Sequence, residues 1–360
     1  MLREARAESR VNGNGRVYAQ QAVAPLATPD WDAVARGYRS KYLFHERCWL
    51  RFLEQSQRAT VRARKLLGDD GSALGYLCAA EVRKGPFRLL GSPLQGWTTN
   101  FMGPLVDDVD VESLLAALDR CCRDLGVDYF ELSNPALPAA AMRAAGYELD
   151  ADMTFLVPID DEEAMWGRLK SECRNRVRRG TKNGLCVEPT TDPAFVGEYY
   201  AQLQDVFLRQ GRVPTYGRER VQALWDCLMP EGKLLALRVR HGERLVATGL
   251  FPHDERAIYF WGGAAWTRDY SLYPNELLHW TAMRVALERG IPQYNMCGGG
   301  SFKPKFGGMP VVTERWFKAL SPLARVGRLA LKHYMSARQR ALGRLRLTLA
   351  GRHAAAPGQP

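Results

Sequence analysis

The chain has 360 residues, of which 46% are hydrophobic and 25% charged, enough for two core-bearing domains and too apolar for a compositionally disordered protein. The net charge of +11 is concentrated after Glu314, where ten Lys and Arg and no Asp or Glu occur, so the basicity is a C-terminal feature and gives no ground for expecting DNA as a partner. The eight cysteines form no C-x-x-C pair, the start is basic and polar, and no run approaches the roughly eighteen apolar residues of a membrane span; a cytoplasmic protein with reduced thiols is expected.

Residues 1–25 are expected to be a disordered lead, and TPDWDAV opens the first helix. TVRARKLL, GSALGYLCAAEV and PFRLLG follow as short antiparallel strands separated by Gly, Asp and Pro. VESLLAALDRCCRDLG has apolar residues at helical spacing and a glycine stop; the strand DYFELSNP, the small-residue helix PAAAMRAAG and a strand around ADMTFLVPI come next. The same order recurs downstream. Helices near 162–183, 193–210 and 217–228 precede the strands KLLALRVR, ERLVATGLFPHD and AIYFWGGAAW. Then come the helix NELLHWTAMRVALERG, the strand QYNMC, a short turn or helix FKPKFGG and a last strand VVTERWFKAL.

Helix, glycine, strand, turn, glycine, strand thus appears in both halves, in "LDRCCRDLGVDYFELSNP" and again in "TAMRVALERGIPQYNMCG". This reads as a mixed α+β chain built from a duplicated unit, the alternative being two unrelated α/β domains of similar element order, with domains at 26–158 and 159–321 and a basic helical tail at 322–360. The second copy is expected to keep the working site, because it holds the glycine-rich, cation-bearing segments.

A helix that follows a strand pair has unpaired N-terminal amides that favour an anion such as a pyrophosphate. The join from Trp261, Gly262 and Gly263 to Tyr273, Pro274 and Asn275 is of this kind. Gly262 and Gly263 either form a bulge that parts two strands, opening a slot for an extended thioester arm, or relieve a crowded aromatic strand end. Tyr294 and Asn295, ending the next strand, are expected to face the same slot. Lys303 and Lys305 share one face if the backbone is extended, and Lys305 is the first candidate to stabilise an oxyanion, with Asn295 or Tyr294 as polar orienting groups. Arg174 and Arg178 lie four apart on a helix face that either clamps a phosphate or is a solvated surface. Arg212 and Tyr216, in "FLRQGRVPTYG", suit a substrate loop or a simple linker. His279, on an amphipathic helix, is expected to pack rather than act as a base. The six histidines include no H-x-x-x-H, no Cys/His cluster has zinc spacing, and no nucleophile elbow or P-loop occurs, so no metal site is expected.

"LKSECRNRVRRGTKNG", "FLRQGRVP", "YFWGGA", "LYPNELLHW", "QYNMCGGG" and "FKPKFGG" follow one another in an order that resembles the Fem-type (FemAB-like) and BioF2-like acyltransferases of the GNAT superfamily. The resemblance covers about 160 to 320. It implies a tandem GNAT fold with a degenerate first domain, and acyl transfer to an amine of a small-molecule or lipid-linked acceptor on a cell-envelope or exopolysaccharide precursor. The implied donor is acetyl-CoA or another acyl-CoA used as co-substrate, with no tightly bound cofactor, or else aminoacyl-tRNA; a catalytically dead envelope scaffold is the reading of another class. One departure stands out: the pyrophosphate signature R/Q-x-x-G-x-G/A survives only as Arg268 to Tyr273, without either glycine. The leucine- and arginine-rich tail from Leu323 suits either an interfacial helix on the inner membrane surface, contact with RNA, or a basic helix packed on its own domain.

Overall fold

The computed structural model describes residues 31–135 and 137–327; the expected lead and the tail from 328 onward lie outside the described residues. The first half opens with α1 (Trp31–Arg36) and α2 (Arg47–Gln57). Sequence reading passed over α2, although Cys48, Trp49, Phe52 and Leu53 give it one buried face and Arg58, at φ +51, ends it. Strands β1 (Thr60–Leu67), β2 (Ala73–Lys84), β3 (Phe87–Ser92) and the short β4 (Gly103–Leu105) come before α3 (Val111–Asp124), β5 (Tyr129–Leu132), α4 (Ala139–Ala144) and β6 (Glu148–Pro158). Asp110 caps α3 by accepting from the Ser113 amide at 2.8 Å, and Leu114, Leu115, Leu118 and Cys122 line its buried face.

The second half comprises α5 (Glu162–Arg168), α6 (Ser171–Lys182), β7 (Leu185–Pro189), α7 (Phe195–Arg209), α8 (Arg218–Leu228), β8 (Leu234–His241) and β9 (Arg244–Pro252). After them come β10 (Ile258–Tyr259), β11 (Gly262–Ala265), α9 (Pro274–Glu288), β12 (Gln293–Asn295), a 3-10 turn at Lys303–Phe306 and β13 (Met309–Ala319).

Two sheets result. The larger runs β1-β2-β3-β5-β13-β6-β12-β10 with β4 on β2, and the smaller runs β11-β9-β8-β7. The parallel pairs β3/β5 and β10/β12 are each bridged by a helix, α3 in one half and α9 in the other, which is the repeat legible in the sequence. The division expected at 158/159 is crossed by the strands themselves. β13, from the end of the chain, lies between β5 and β6 of the first half, and β6 carries β12 of the second half at its far end. Each half therefore completes the other's sheet.

A shared core reinforces this exchange. Trp49, Phe52 and Leu53 of α2 pack in one cluster with Tyr199, Leu224, Trp225 and Trp261 of the second half. Removing each such side chain from water stabilises the pairing by roughly 1.5–3 kcal/mol. Lys41, buried, adds a polar tie: its Nζ is 2.5 Å from Glu46 and 2.7 Å from Glu255, with Lys233 also on Glu46 at 3.0 Å.

Candidate functional site

The strand leading from β10 to β11 changes sheets. The Phe260 amide donates to Asn295 O at 2.9 Å, in the large sheet, and the next amide, Trp261, donates to Leu250 O at 3.1 Å, in the small one. The strands part here, between 260 and 261, and not through a bulge at the glycines: Gly262 and Gly263 pair in regular register with Leu250 and Gly249. The glycines serve packing instead. A Cβ on Gly262 would lie 2.3 Å from Tyr199 Oη, and one on Gly263 3.0 Å from the Phe260 ring.

Beside the parting lies a cavity of about 440 Å³ lined by both halves. The segment from Gln95 to Asn100 forms one wall, β6 from Asp150 to Thr154 with Thr313 and Arg315 of β13 a second, and Tyr259 to Trp261 with Cys297, Gly298, Phe302 and Lys303 a third. Register explains the polar character of the β6 wall: Asp150 is opposite Arg315 and Asp152 opposite Thr313, so each pair shares a face. Two of the five non-glycine residues with positive φ among the described residues, Thr98 (+52) and Cys297 (+54), are on these walls. Such backbone costs of order 1–3 kcal/mol and persists where the surroundings impose it.

The glycine-rich stretch after β12 wraps an ammonium. Asn295 Oδ1 accepts from Thr154 Oγ1 at 2.7 Å and from the Cys297 amide at 2.9 Å, turning the chain, and Gly298 (φ +78) continues the turn. Lys303 Nζ then donates to Cys297 O at 2.6 Å and Gly298 O at 2.8 Å. Only 5% of Lys303 is exposed, no carboxylate pairs with it among the described residues, and burial holds its pKa below the ordinary lysine value. Burial likewise pushes the Cys297 thiol up to about 12, so it stays protonated.

Lys305 goes elsewhere. Because residues 303–306 form a 3-10 turn, the two lysines do not share a face as an extended chain would give; Lys305 Nζ lies 2.6 Å from Glu276 Oε1, which Arg176 also meets at 3.0 Å. Burial raises the Glu276 carboxyl, but the hydrogen bonds from Lys305 and Arg176 outweigh it and hold the pKa below the usual range. Glu276 is the third residue of α9, so the positive end of that helix faces a carboxylate of its own chain. A second hollow of about 400 Å³ adjoins it, lined by Ser171, Glu172, Asn175, Arg176, Arg179 and Tyr273, the last at φ +62 immediately before Pro274 and Asn275.

Tyr294, expected in the slot, is fully buried, its hydroxyl 2.6 Å from His279 Nδ1; it belongs to the core, as does His279. Arg174 and Arg178 both turn toward Trp166 and do not form a clamp. Arg174 donates to Gly167 O at 3.1 Å, and the Arg178 guanidinium lies 5.2 Å over the indole. Arg212 is exposed on the loop after α7. Tyr216 does not line the cavity but packs behind its wall: its ring is 5.2 Å from that of Trp261 and its hydroxyl 2.8 Å from Tyr199 Oη. The sequence reading missed Thr98, Asn100, Asp150, Asp152 and Arg315, all in the half read as degenerate or in the exchanged strand, and no motif signalled them.

Residues 167–303 match the family described as acetyltransferase (GNAT) domain. Among solved structures the chain is similar to FemX, at 16% identity with 82% of this chain and 97% of that one covered and a TM-score of 0.66. It is also similar to a conserved protein of unknown function from Bacteroides thetaiotaomicron (12% identity, 84% and 99% covered, TM-score 0.55) and to L-PGS from Bacillus licheniformis (13%, 86% and 98%, 0.52). These likenesses establish the fold. No curated protein matches the sequence. Among the described residues no helix is long and apolar enough to cross a membrane.

Proposed function

We propose that this GNAT-fold chain, Fem-like in architecture, is an N-acyltransferase in which an amine held in the cavity between the halves attacks the carbonyl carbon of an acyl donor directly. The C–N bond forms, the C–S or C–O bond to the donor breaks, and the amine loses a proton. The observation that carries this reading is Lys303. An ammonium has three N–H donors; two are spent on Cys297 O and Gly298 O, which leaves one for the oxygen that becomes negative during attack. Its poor hydration strengthens that interaction. The role first sought in Lys305 therefore passes to Lys303, while Lys305 serves the Glu276 ion pair. Trp261, Gly262 and Asn295 shape the place where the strands part, and Asn295 fixes the turn that carries the Lys303 ligands.

An acyl-CoA is the donor expected of a GNAT domain. A second donor, the ester of aminoacyl-tRNA, is favoured by Glu276: its carboxylate, held by Lys305 and Arg176, sits in the first turn of α9, where a pyrophosphate would otherwise be received. The acceptor is a small-molecule or lipid-linked amine, read as an envelope or exopolysaccharide precursor, with the protein cytoplasmic or peripheral to the inner membrane. Thermal melting of the protein with acetyl-CoA, aminoacyl-tRNA and nucleotide sugars tests donor and acceptor classes, since a true ligand raises the midpoint. With the responsive donor, Lys303→Ala is expected to lower turnover by about 100-fold or more. Turnover within a few-fold of wild type would remove Lys303 from the mechanism, and no response to any ligand would favour the scaffold reading.

A further inference from the structure

The cations around the cavity are accounted for differently. Arg315 has a carboxylate, Glu131 at 3.0 Å, and Lys303 has its two carbonyls. Arg220, in the first turn of α8, has neither. Its Nη2 donates to Thr98 Oγ1 at 3.0 Å, its Nε is buried with no partner, and its guanidinium lies 5.5 Å over the Tyr216 ring. No carboxylate pairs with it among the described residues, and desolvation holds its pKa below the ordinary arginine value. A charge withdrawn from water is costly unless something pairs with it.

The position of Arg220 indicates what that partner would be. Thr98, its one side-chain hydrogen-bond acceptor, belongs to the opposite half of the molecule and lines the cavity, with φ +52. Tyr216, on which the guanidinium stacks, packs against Trp261, another cavity wall. Arg220 thus stands at the rim where the halves meet, with a planar fork of donors only partly used, a geometry suited to an oxyanion.

We propose that Arg220 seats the anionic group, a carboxylate or a phosphate, of the acceptor, so that the acceptor is an amine that also carries a negative charge. The proposal rests on acyl transfer between the halves for the word acceptor, but the anion site itself needs no donor. The test is therefore made without one. Melting midpoints of the full chain are measured against inorganic phosphate and against acetate, with ionic strength held constant by chloride, for wild type, Arg220→Gln, Arg220→Lys and Thr98→Val.

The expected result is a rise in the wild-type midpoint that is lost in Arg220→Gln and requires several-fold more anion in Arg220→Lys, which keeps the charge and loses the fork. A larger response to phosphate assigns a phosphoryl group, and a larger one to acetate a carboxylate. Circular dichroism checks the fold. If Arg220→Gln does not fold, Thr98→Val, which removes only the hydroxyl that orients the guanidinium, is expected to weaken the response several-fold. No response in wild type, or an equal one in all the folded variants, overturns the proposal. An intact anion response in a protein that answers to no acyl donor would instead refute acyl transfer and leave the site standing.

Discussion

Gly262 shows how a single position can be noticed for one reason and matter for another. Its lack of a side chain admits the Tyr199 hydroxyl, which is fully buried and bonded to Tyr216 at 2.8 Å. Gly262→Ala would place a Cβ 2.3 Å from that oxygen, so either the tyrosine pair or β11 must move. The expected cost is about 1–3 kcal/mol of stability, read as a lower denaturant midpoint with an unchanged slope. An unchanged midpoint would mean that the pair yields freely. The two lysines of FKPKFGG mark a similar limit. Their composition pointed to the right loop, but which of them meets a ligand depends on backbone phase. Two residues apart in an extended strand means one face; in a 3-10 turn it means a rotation of about 240°.

Among the elements, most strands and helices could be read from alternation, helical spacing and glycine stops, whereas α2 was passed over and the strand exchange was invisible. The reason is physical: the pattern of VVTERWFKAL says that it pairs, not with what. β13 pairs with β6 from Met309↔Leu156 to Phe317↔Glu148 and with β5 from Trp316↔Leu132 to Ala319↔Tyr129. It follows that residues 1–158 expressed alone leave β5 and β6 with unpaired edges where β13 belongs, and also leave the α2 face without its partners on α7 and α8. That fragment is expected to aggregate or melt without cooperativity, and adding residues 159–327 on a second chain should restore solubility. A sharp, reversible melt of 1–158 alone would show that the exchange is dispensable. The cavity walls escaped sequence reading for the same reason, since Asp150, Asp152 and Arg315 become neighbours only through this register.

At the scale of the whole molecule, three buried histidines among the described residues, His45, His253 and His279, bear on the response to acid. Burial lowers His45 to about 4, His253 to about 4 with help from Arg289 and Lys233, and His279 to about 3 with help from Lys305. Each stays neutral in the folded chain while the unfolded chain takes up its proton near the ordinary value of 6.5. Their contribution is complete above that value and falls as pH drops through it toward the folded values. Well inside this window the slope approaches about 1.4 kcal/mol per pH unit for each histidine, about 4 for the three. Asp254 and Glu131, whose carboxyls burial raises, oppose it in part. Urea midpoints measured between pH 7 and pH 4 should decline steeply, and a flat profile would contradict the burial assigned to these rings.

The crossing of β6 and β13 also limits how the molecule can admit what it works on. Two lobes joined by one linker can swing apart like a hinge; two lobes laced through each other's sheets cannot, because gaping would tear rows of backbone hydrogen bonds. Passage must then go by way of the loops at the rim, the stretch near Thr98 and the glycines after Asn295, and selection falls on whatever can thread that doorway lengthwise.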